Sequence, residues 1–205
     1  MKRGRFITLE GIDGAGKSSH LEFLRALCEA RGAAVEMTRE PGGTPVGEAL
    51  RRVVLDAAMD AATEALVMFA ARRAHVVAVI EPALAAGRWV VCDRFSDSTY
   101  AYQCGGRGLA PEVAAALERI AHPGLAPDAT FLFDIDPALA AQRQRARERA
   151  PDRFEREQAH FFRRVRAAYL ERAVVEPLRI HVIDAARPLE DVRAQLARAF
   201  ESALP

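Results

Sequence analysis

Leu9-Glu10-Gly11-Ile12-Asp13-Gly14-Ala15-Gly16-Lys17-Ser18-Ser19-His20, near the start of a 205-residue chain, is the stretch whose reading decides the fold. Within it, Gly11 to Ser18 fits G-x-x-x-x-G-K-[ST], a glycine-rich loop whose backbone N–H groups cradle phosphates. The pattern carries weight only between a strand and a helix. Here the apolar run Phe6-Ile-Thr-Leu precedes it, and Leu21, Leu24, Leu27 and Cys28 follow on one helical face, with Gly32 as a stop. The loop has one cation, Lys17, and an acid, Asp13. Charge on a transferring phosphoryl group must therefore be neutralised partly from elsewhere in the chain.

Outward from this loop, apolar strands alternate with helical patterns to the end of the chain. Val35 to Thr38 reads as a second strand, followed by the turn-rich loop Arg39-Glu-Pro-Gly-Gly-Thr44. Helices are expected from Pro45 to Asp56 and from Thr63 to Ala86, ended by Gly87. Trp89 to Asp93 is a third strand. A loop and short helix run through Tyr102 to Cys104-Gly-Gly-Arg-Gly108, and a helix from Pro111 ends at His122-Pro-Gly124. Thr130 to Asp134 is a fourth strand, Pro137 opens an arginine-rich helix, and Ala159 to Val175 is another. Ile180 to Asp184 and Pro188 to Ala203 close the chain as strand and helix. Five such strands imply an α/β fold, a parallel sheet covered by helices on both faces. The length and the absence of repeats or linkers make residues 1–205 a single domain. In such sheets ligands sit beyond the carboxyl ends of the strands, which gathers the loops after Leu9, Thr38, Cys92 and Ile183 at one edge.

Composition narrows the function. A net charge of +1 argues against a general nucleic-acid binder, which needs a basic excess. No apolar run approaches the roughly 20 residues of a membrane span. The basic start, Met-Lys-Arg-Gly-Arg, leads into a strand with no apolar signal core, which gives a cytoplasmic expectation. Cys28, Cys92 and Cys104 make no metal-type pair and read as reduced thiols, and the scattered histidines argue against a structural metal. Of 29 basic residues only Lys2 and Lys17 are lysines, so Lys17 stands where a compact ammonium is needed. The chain has no asparagine, so the N-K-x-D guanine-reading element of GTPases cannot be written.

Several residues then stand out as chemistry. The backbone of Gly11, Ile12, Asp13, Gly14, Ala15 and Gly16 would wrap phosphates, Lys17 would reach the terminal ones, and the Ser18 hydroxyl would coordinate Mg²⁺. Asp93 ends a strand and could hold that metal, with Arg94 beside it forking onto a phosphate. Asp134 also ends a strand and competes for the metal; the glycine-rich segment after Asp93 favours Asp93. Phe69 and Arg73, four apart on a helix, share a face. They could stack a base and clamp a phosphate, or be a core aromatic and a solvated guanidinium. Arg143, Arg145, Arg147 and Arg149 alternate and cannot all lie on one helical face. They suggest a lid over the phosphate donor at about 143–156, against a solvated helix balanced by Glu148, Glu155 and Glu157. RNA binding is weaker, since no aromatic interleaves with the arginines.

The strings E-G-I-D-G-A-G-K-S-S, T-R-E-P-G-G-T, F-A-A-R-R, D-R-F-S-D-S-T-Y-A-Y-Q-C-G-G-R-G and V-I-D-A, in that order, resemble bacterial thymidylate kinase along nearly the whole chain. The resemblance implies a P-loop kinase fold with a short arginine-rich lid. It implies ATP- and Mg²⁺-dependent phosphorylation of dTMP to dTDP by direct in-line transfer, and a homodimer packed through helices including the one with Phe69. It implies that Phe69 stacks on thymine, Arg73 and Arg94 hold the dTMP phosphate, Thr99 faces the base edge and Tyr102 the sugar. Asp13 would contact the 3′-hydroxyl, Glu40 and Pro41 would shape the acceptor pocket, and Gln103 and Arg107 would line its far side. Arg147 would be the catalytic lid arginine, with Arg143, on the ATP side, and Arg153 supporting it; Arg145 and Arg149 are the alternatives. Cys104 departs from the resemblance, standing where the pattern Q-G-G-G-R-G has glycine. Two other readings are a kinase for dUMP, dCMP or thymidine, and an interaction protein that uses ATP as a switch.

Overall fold

Strands β1 (Phe6–Glu10), β2 (Val35–Arg39), β3 (Trp89–Asp93), β4 (Ala129–Asp134) and β5 (Ile180–Asp184) form one all-parallel sheet in the order β2-β3-β1-β4-β5. The computed structural model describes residues 3–145, 153–154 and 157–204. β1 is central and wholly buried, as an unbroken apolar run in a parallel sheet should be. Ile7 and Leu9 face a core with Leu24, Cys28, Phe131, Leu196 and Phe200. Phe6, Val90 and Cys92 face the opposite core, with Val76, Ile80 and Phe95. The buried hydroxyls of Thr8 and Thr130 satisfy each other at 2.7 Å.

The helices are α1 (Leu21–Ala30), entered through a 3₁₀ turn at Lys17–His20, α2 (Pro45–Asp56), α3 (Ala61–His75), α4 (Glu81–Ala85), α5 (Ser96–Thr99), α6 (Pro111–Ala121), α7 (Pro137–Arg145), α8 (Ala159–Val175) and α9 (Leu189–Ala203). Local chemistry sets their starts. The Thr44 hydroxyl accepts the Gly47 N–H at 2.9 Å ahead of Pro45, and Asp60 accepts the N–H groups of Ala62 and Thr63. The helix expected to run unbroken from Thr63 to Ala86 instead widens into a π-helical turn, Val76–Ile80, before α4. Pro82 is the cause: it has no N–H for the carbonyl one turn earlier, and its ring crowds that carbonyl. A second π-helical turn, Tyr100–Gly106, extends α5. Among the described residues no helix is long and apolar enough to cross a membrane.

Because all five strands are parallel, Glu10, Arg39, Asp93, Asp134 and Asp184 end at one edge of the sheet. Four of the five are acids. What each of them binds separates structural roles from chemical ones.

Candidate active site

Gly11 opens the glycine-rich loop with φ 137°, and a Cβ there would stand 2.5 Å from the Phe133 carbonyl oxygen, so only glycine fits. Lys17 Nζ turns back and donates to the carbonyls of Gly11 at 2.9 Å and Ile12 at 3.3 Å. Burial, aided by the charge of Arg94, lowers the Lys17 ammonium to about 8 against the pull of Asp93 and Asp13. The loop borders a cavity of about 590 Å³ lined by Lys17, Ser18 and Asp93, and by the guanidinium groups of Arg39, Arg51 and Arg94. The two strand-ending acids that competed in the sequence differ here. Asp134 is forked by Arg166 at 2.7 and 2.8 Å. Asp93 Oδ1 is buried with no hydrogen-bond partner among the described residues, and its side chain faces the cavity that holds Ser18.

Arg94 joins this cavity to the next. With φ 74° it is, among the described residues, the non-glycine residue in the left-handed region. Nη2 donates to Asp13 Oδ1 at 2.7 Å and to the Tyr102 hydroxyl at 3.1 Å; Nη1 donates to Ser98 Oγ at 3.1 Å and to the Tyr169 hydroxyl at 3.2 Å. The Tyr102 hydroxyl donates in turn to Asp13 Oδ2 at 3.0 Å. Burial alone would raise Asp13, but Arg94 and Lys17 outweigh it and hold the carboxyl below its usual range. Asp13, the acid in the glycine-rich loop, thus orients a cation. Its carboxylate keeps lone pairs free for a further donor such as a sugar hydroxyl.

The second cavity, about 490 Å³, is lined by Asp13, Glu40, Pro41, Arg51, Leu55, Met68, Arg94, Ser98, Tyr102, Gln103 and Phe154. Here the expectation for α3 needs correction. Phe69 does not line this cavity; it is buried against the His122 ring at 6.4 Å and beneath the Arg72 guanidinium at 4.8 Å. Arg73 is exposed and donates to the Ala121 carbonyl at 3.2 Å. Met68 and Arg72, one residue earlier, take the inward places. Stepping back one residue rotates a helix position by about 100°, which moves the pair from one wall of α3 to another. Arg72 is fully buried: it donates to Glu40 at 2.6 Å, to Thr99 Oγ1 at 3.2 Å and to the Phe95 carbonyl at 3.0 Å. Thr99, also fully buried, lines neither cavity; its hydroxyl accepts from Arg72, whose partner Glu40 lines both. Glu40, joined to Pro41 by a cis peptide bond, also pairs with His75 Nδ1 at 3.0 Å, and His75 Nε2 meets Thr38 Oγ1 at 2.6 Å. Burial would raise Glu40, yet Arg72 and His75 hold it low.

Gln103 lines the cavity with its Oε1 buried and unpartnered among the described residues, because its Nε2 donates to Glu64 at 2.6 Å. A carboxylate only accepts, so this contact fixes which end of the amide is left over. Glu64, fully buried at the start of α3, also accepts from Arg107 Nε at 3.1 and 3.2 Å and from Arg153 Nη2 at 2.5 Å. Arg107 stands behind the wall rather than in it, bridging Glu64 to Glu157 beside the Phe154 and Phe161 rings. Cys104 fits its π-helical turn without a left-handed backbone. Arg143, on the last turn of α7, donates to the carbonyl of Ala185, the last residue of the V-I-D-A segment, at 2.8 Å. Arg147 and Arg149, with most of the expected lid, lie outside the described residues.

Sequence reasoning missed Met68, Arg72, Arg51, Glu64 and Glu10. Arg51 carried a signal, sitting on the helix that follows the T-R-E-P-G-G-T loop; the buried acids gave no local signal.

Comparison with known proteins bears on this geometry. The model of the thymidylate kinase family matches residues 9–196. A thymidylate kinase of Methylobacillus flagellatus is 56% identical over 194 residues, 95% of this chain and 95% of that protein. One of Bordetella petrii is 58% identical over 95% of this chain and 93% of that protein. The crystal structure of thymidylate kinase from Ehrlichia chaffeensis superposes with a TM-score of 0.77 at 34% identity, covering 96% of this chain and 98% of that one.

Proposed function

The chain belongs to the thymidylate kinase family, and on that footing we propose how it phosphorylates dTMP to dTDP with ATP as donor. One observation carries the proposal: the two cavities meet at Asp13, Glu40, Arg51 and Arg94, so a donor in the first and an acceptor in the second would touch across shared residues. ATP would lie along Gly11 to Ser18 with Lys17 leaving its loop carbonyls for the terminal phosphates, and with Arg143 on the donor side. Ser18 and Asp93 would hold Mg²⁺, a fit supported by the unpartnered buried Oδ1 of Asp93. An ion held there would supply positive charge to offset the negative charge of the transferring phosphoryl group.

The acceptor phosphate would rest on Arg94, assisted by Arg51. Its base would lie over Met68 with Gln103 Oε1 available to a pyrimidine N–H; Tyr102, Glu40 and Pro41 close the sides. The acceptor oxygen is already anionic, so no base is required, and the protein's task is to align two anions and neutralise them. Arg147 would bring the lid's charge to the moving group, with Arg153 tied to Glu64 behind it. A panel of dTMP, dUMP, dCMP and thymidine with ATP-Mg²⁺, read as ADP release, tests the assignment. Fastest turnover with dTMP is expected; equal or faster turnover with another acceptor, or none with any, refutes it.

A cytoplasmic location is supported by three free thiols, Cys28, Cys92 and Cys104. A homodimer through α3 and α6 is supported by apolar side chains left in water along them: Leu66 and Ile120 are 56% and 74% exposed. A single-chain mass in sedimentation equilibrium at micromolar concentration would refute it.

A further inference from the structure

Glu10 ends β1 one residue before the glycine-rich loop, and nothing in the reaction described above uses it. It is fully buried, yet all the hydrogen bonds of its carboxylate run toward Arg94. Oε1 accepts the N–H of Phe95 at 2.7 Å, the peptide immediately after the left-handed residue. Oε2 accepts the hydroxyls of Ser98 at 2.6 Å and Tyr169 at 2.8 Å. Those two oxygens are the acceptors for Arg94 Nη1 at 3.1 and 3.2 Å.

The proton count leaves little choice. A guanidinium offers only donors, so Ser98 and Tyr169 must turn their oxygens to it and send their single protons elsewhere. The two hydroxyls also lie 2.9 Å apart, so one can donate to the other, but the remaining proton then still needs an acceptor, and the carboxylate at position 10, 2.6 and 2.8 Å from the two oxygens, supplies it. A side-chain-bearing residue rarely adopts the φ of 74° at Arg94, and such a conformation persists only where its surroundings hold it. Glu10 holds it through Phe95, while the Arg94 N–H is bound by the Leu9 carbonyl at 3.0 Å. One acid thus governs both the backbone and the rotamer of the cation.

We infer that Glu10 is a positioning residue for the acceptor phosphate: it presets Arg94, through Phe95 on the main chain and through Ser98 and Tyr169 on the side chain, so that a phosphate monoester meets a guanidinium already in place. This rests on Arg94 being the acceptor-phosphate ligand.

Calorimetric titration of the full chain with dTMP and with thymidine at pH 8 separates the two statements. The ratio of the two Kd values measures what the phosphate contributes. Glu10→Gln is expected to weaken dTMP by about tenfold or more, the scale of a lost charge-assisted contact, while thymidine stays within about twofold. Tyr169→Phe should move the ratio the same way by less, and it decides the matter if Glu10→Gln does not fold. General damage would weaken both ligands alike, and that result overturns the inference. So does an unchanged ratio in Glu10→Gln and Tyr169→Phe while Arg94→Ala lowers it. An unchanged ratio in Arg94→Ala as well overturns the role given to Arg94 itself.

Discussion

Replacing Glu64 by glutamine should be among the most damaging single changes outside the phosphate-binding loop. The carboxylate is fully buried and receives Gln103 at 2.6 Å, Arg107 at 3.1 and 3.2 Å and Arg153 at 2.5 Å. An amide of the same size would turn an N–H₂ toward donors only. Arg107 retains Glu157 at 2.8 Å and Arg153 retains the Val54 carbonyl at 2.9 Å, so neither cation is abandoned completely. Hydrogen bonds to charged groups are worth about 1.5–3 kcal/mol each and do not add. Breaking a buried pair by removing one partner costs about 3–5 kcal/mol, and that is the loss expected here. In a chain of this size each kcal/mol moves Tm by about 2–4 °C, so the melting point should fall by roughly 6–20 °C. Urea titration followed by circular dichroism measures the change directly. A loss below about 1 kcal/mol would show that the three donors are served by water instead, and would refute the role given to Glu64. A double-mutant cycle with Arg153→Ala should return a coupling above about 1 kcal/mol, since the two groups touch.

Arg147→Ala should lower kcat by roughly 10³–10⁵ while dTMP binding, read by calorimetry, is kept. A larger fall in Arg145→Ala or Arg149→Ala would move the catalytic role to that residue. Stability should also depend on pH. Burial, with the charge of Asp97 beside it, pushes the Glu10 carboxyl from an ordinary 4.5 up to about 7, against Arg94, Ser98 and the Phe95 N–H. The folded state then holds this proton more tightly than the unfolded chain. Its contribution is full below about pH 4.5 and is lost as pH rises through about 7, roughly 3 kcal/mol across that window. Denaturant midpoints measured from pH 5 to 8 should show that decline, flattened in Glu10→Gln; an identical slope in both proteins refutes it.

The glycine-rich loop and the five strands were legible because each rests on rules a few residues long. Gly11 must be glycine, Lys17 follows at fixed spacing, and apolar runs end on turn residues. The sheet order was not legible, because strand–helix alternation is the same whichever neighbour a strand pairs with. On α3, spacing alone admits Phe69 with Arg73 and Met68 with Arg72 equally. Only the rotation of the helix against the sheet decides, and that is set by packing at distant positions. Glu64 reads in sequence as an ordinary acid in the first turn of a helix, where the helix dipole welcomes it. Its partners lie 39, 43 and 89 residues away. Glu10 is hidden in the same way, its ligands 85, 88 and 159 residues along the chain. The helix read as unbroken from Thr63 to Ala86 passes over Pro82, which accounts for the π-helical turn before it.

Arginine's near monopoly on positive charge has a consequence at the place where the two cavities meet. Arg51 and Arg94 line that region and Arg39 the first cavity beside it, and a guanidinium keeps its proton at every pH a cell experiences. Among the described residues no histidine lines either cavity. The cationic wall therefore has a fixed charge, and Lys17 is its one adjustable member: a buried amine held near its own carbonyls until an anion arrives. A phosphate beside Lys17 would favour its charged form, so donor capture would draw in a proton only near or above about pH 8, where burial has begun to strip it from that nitrogen.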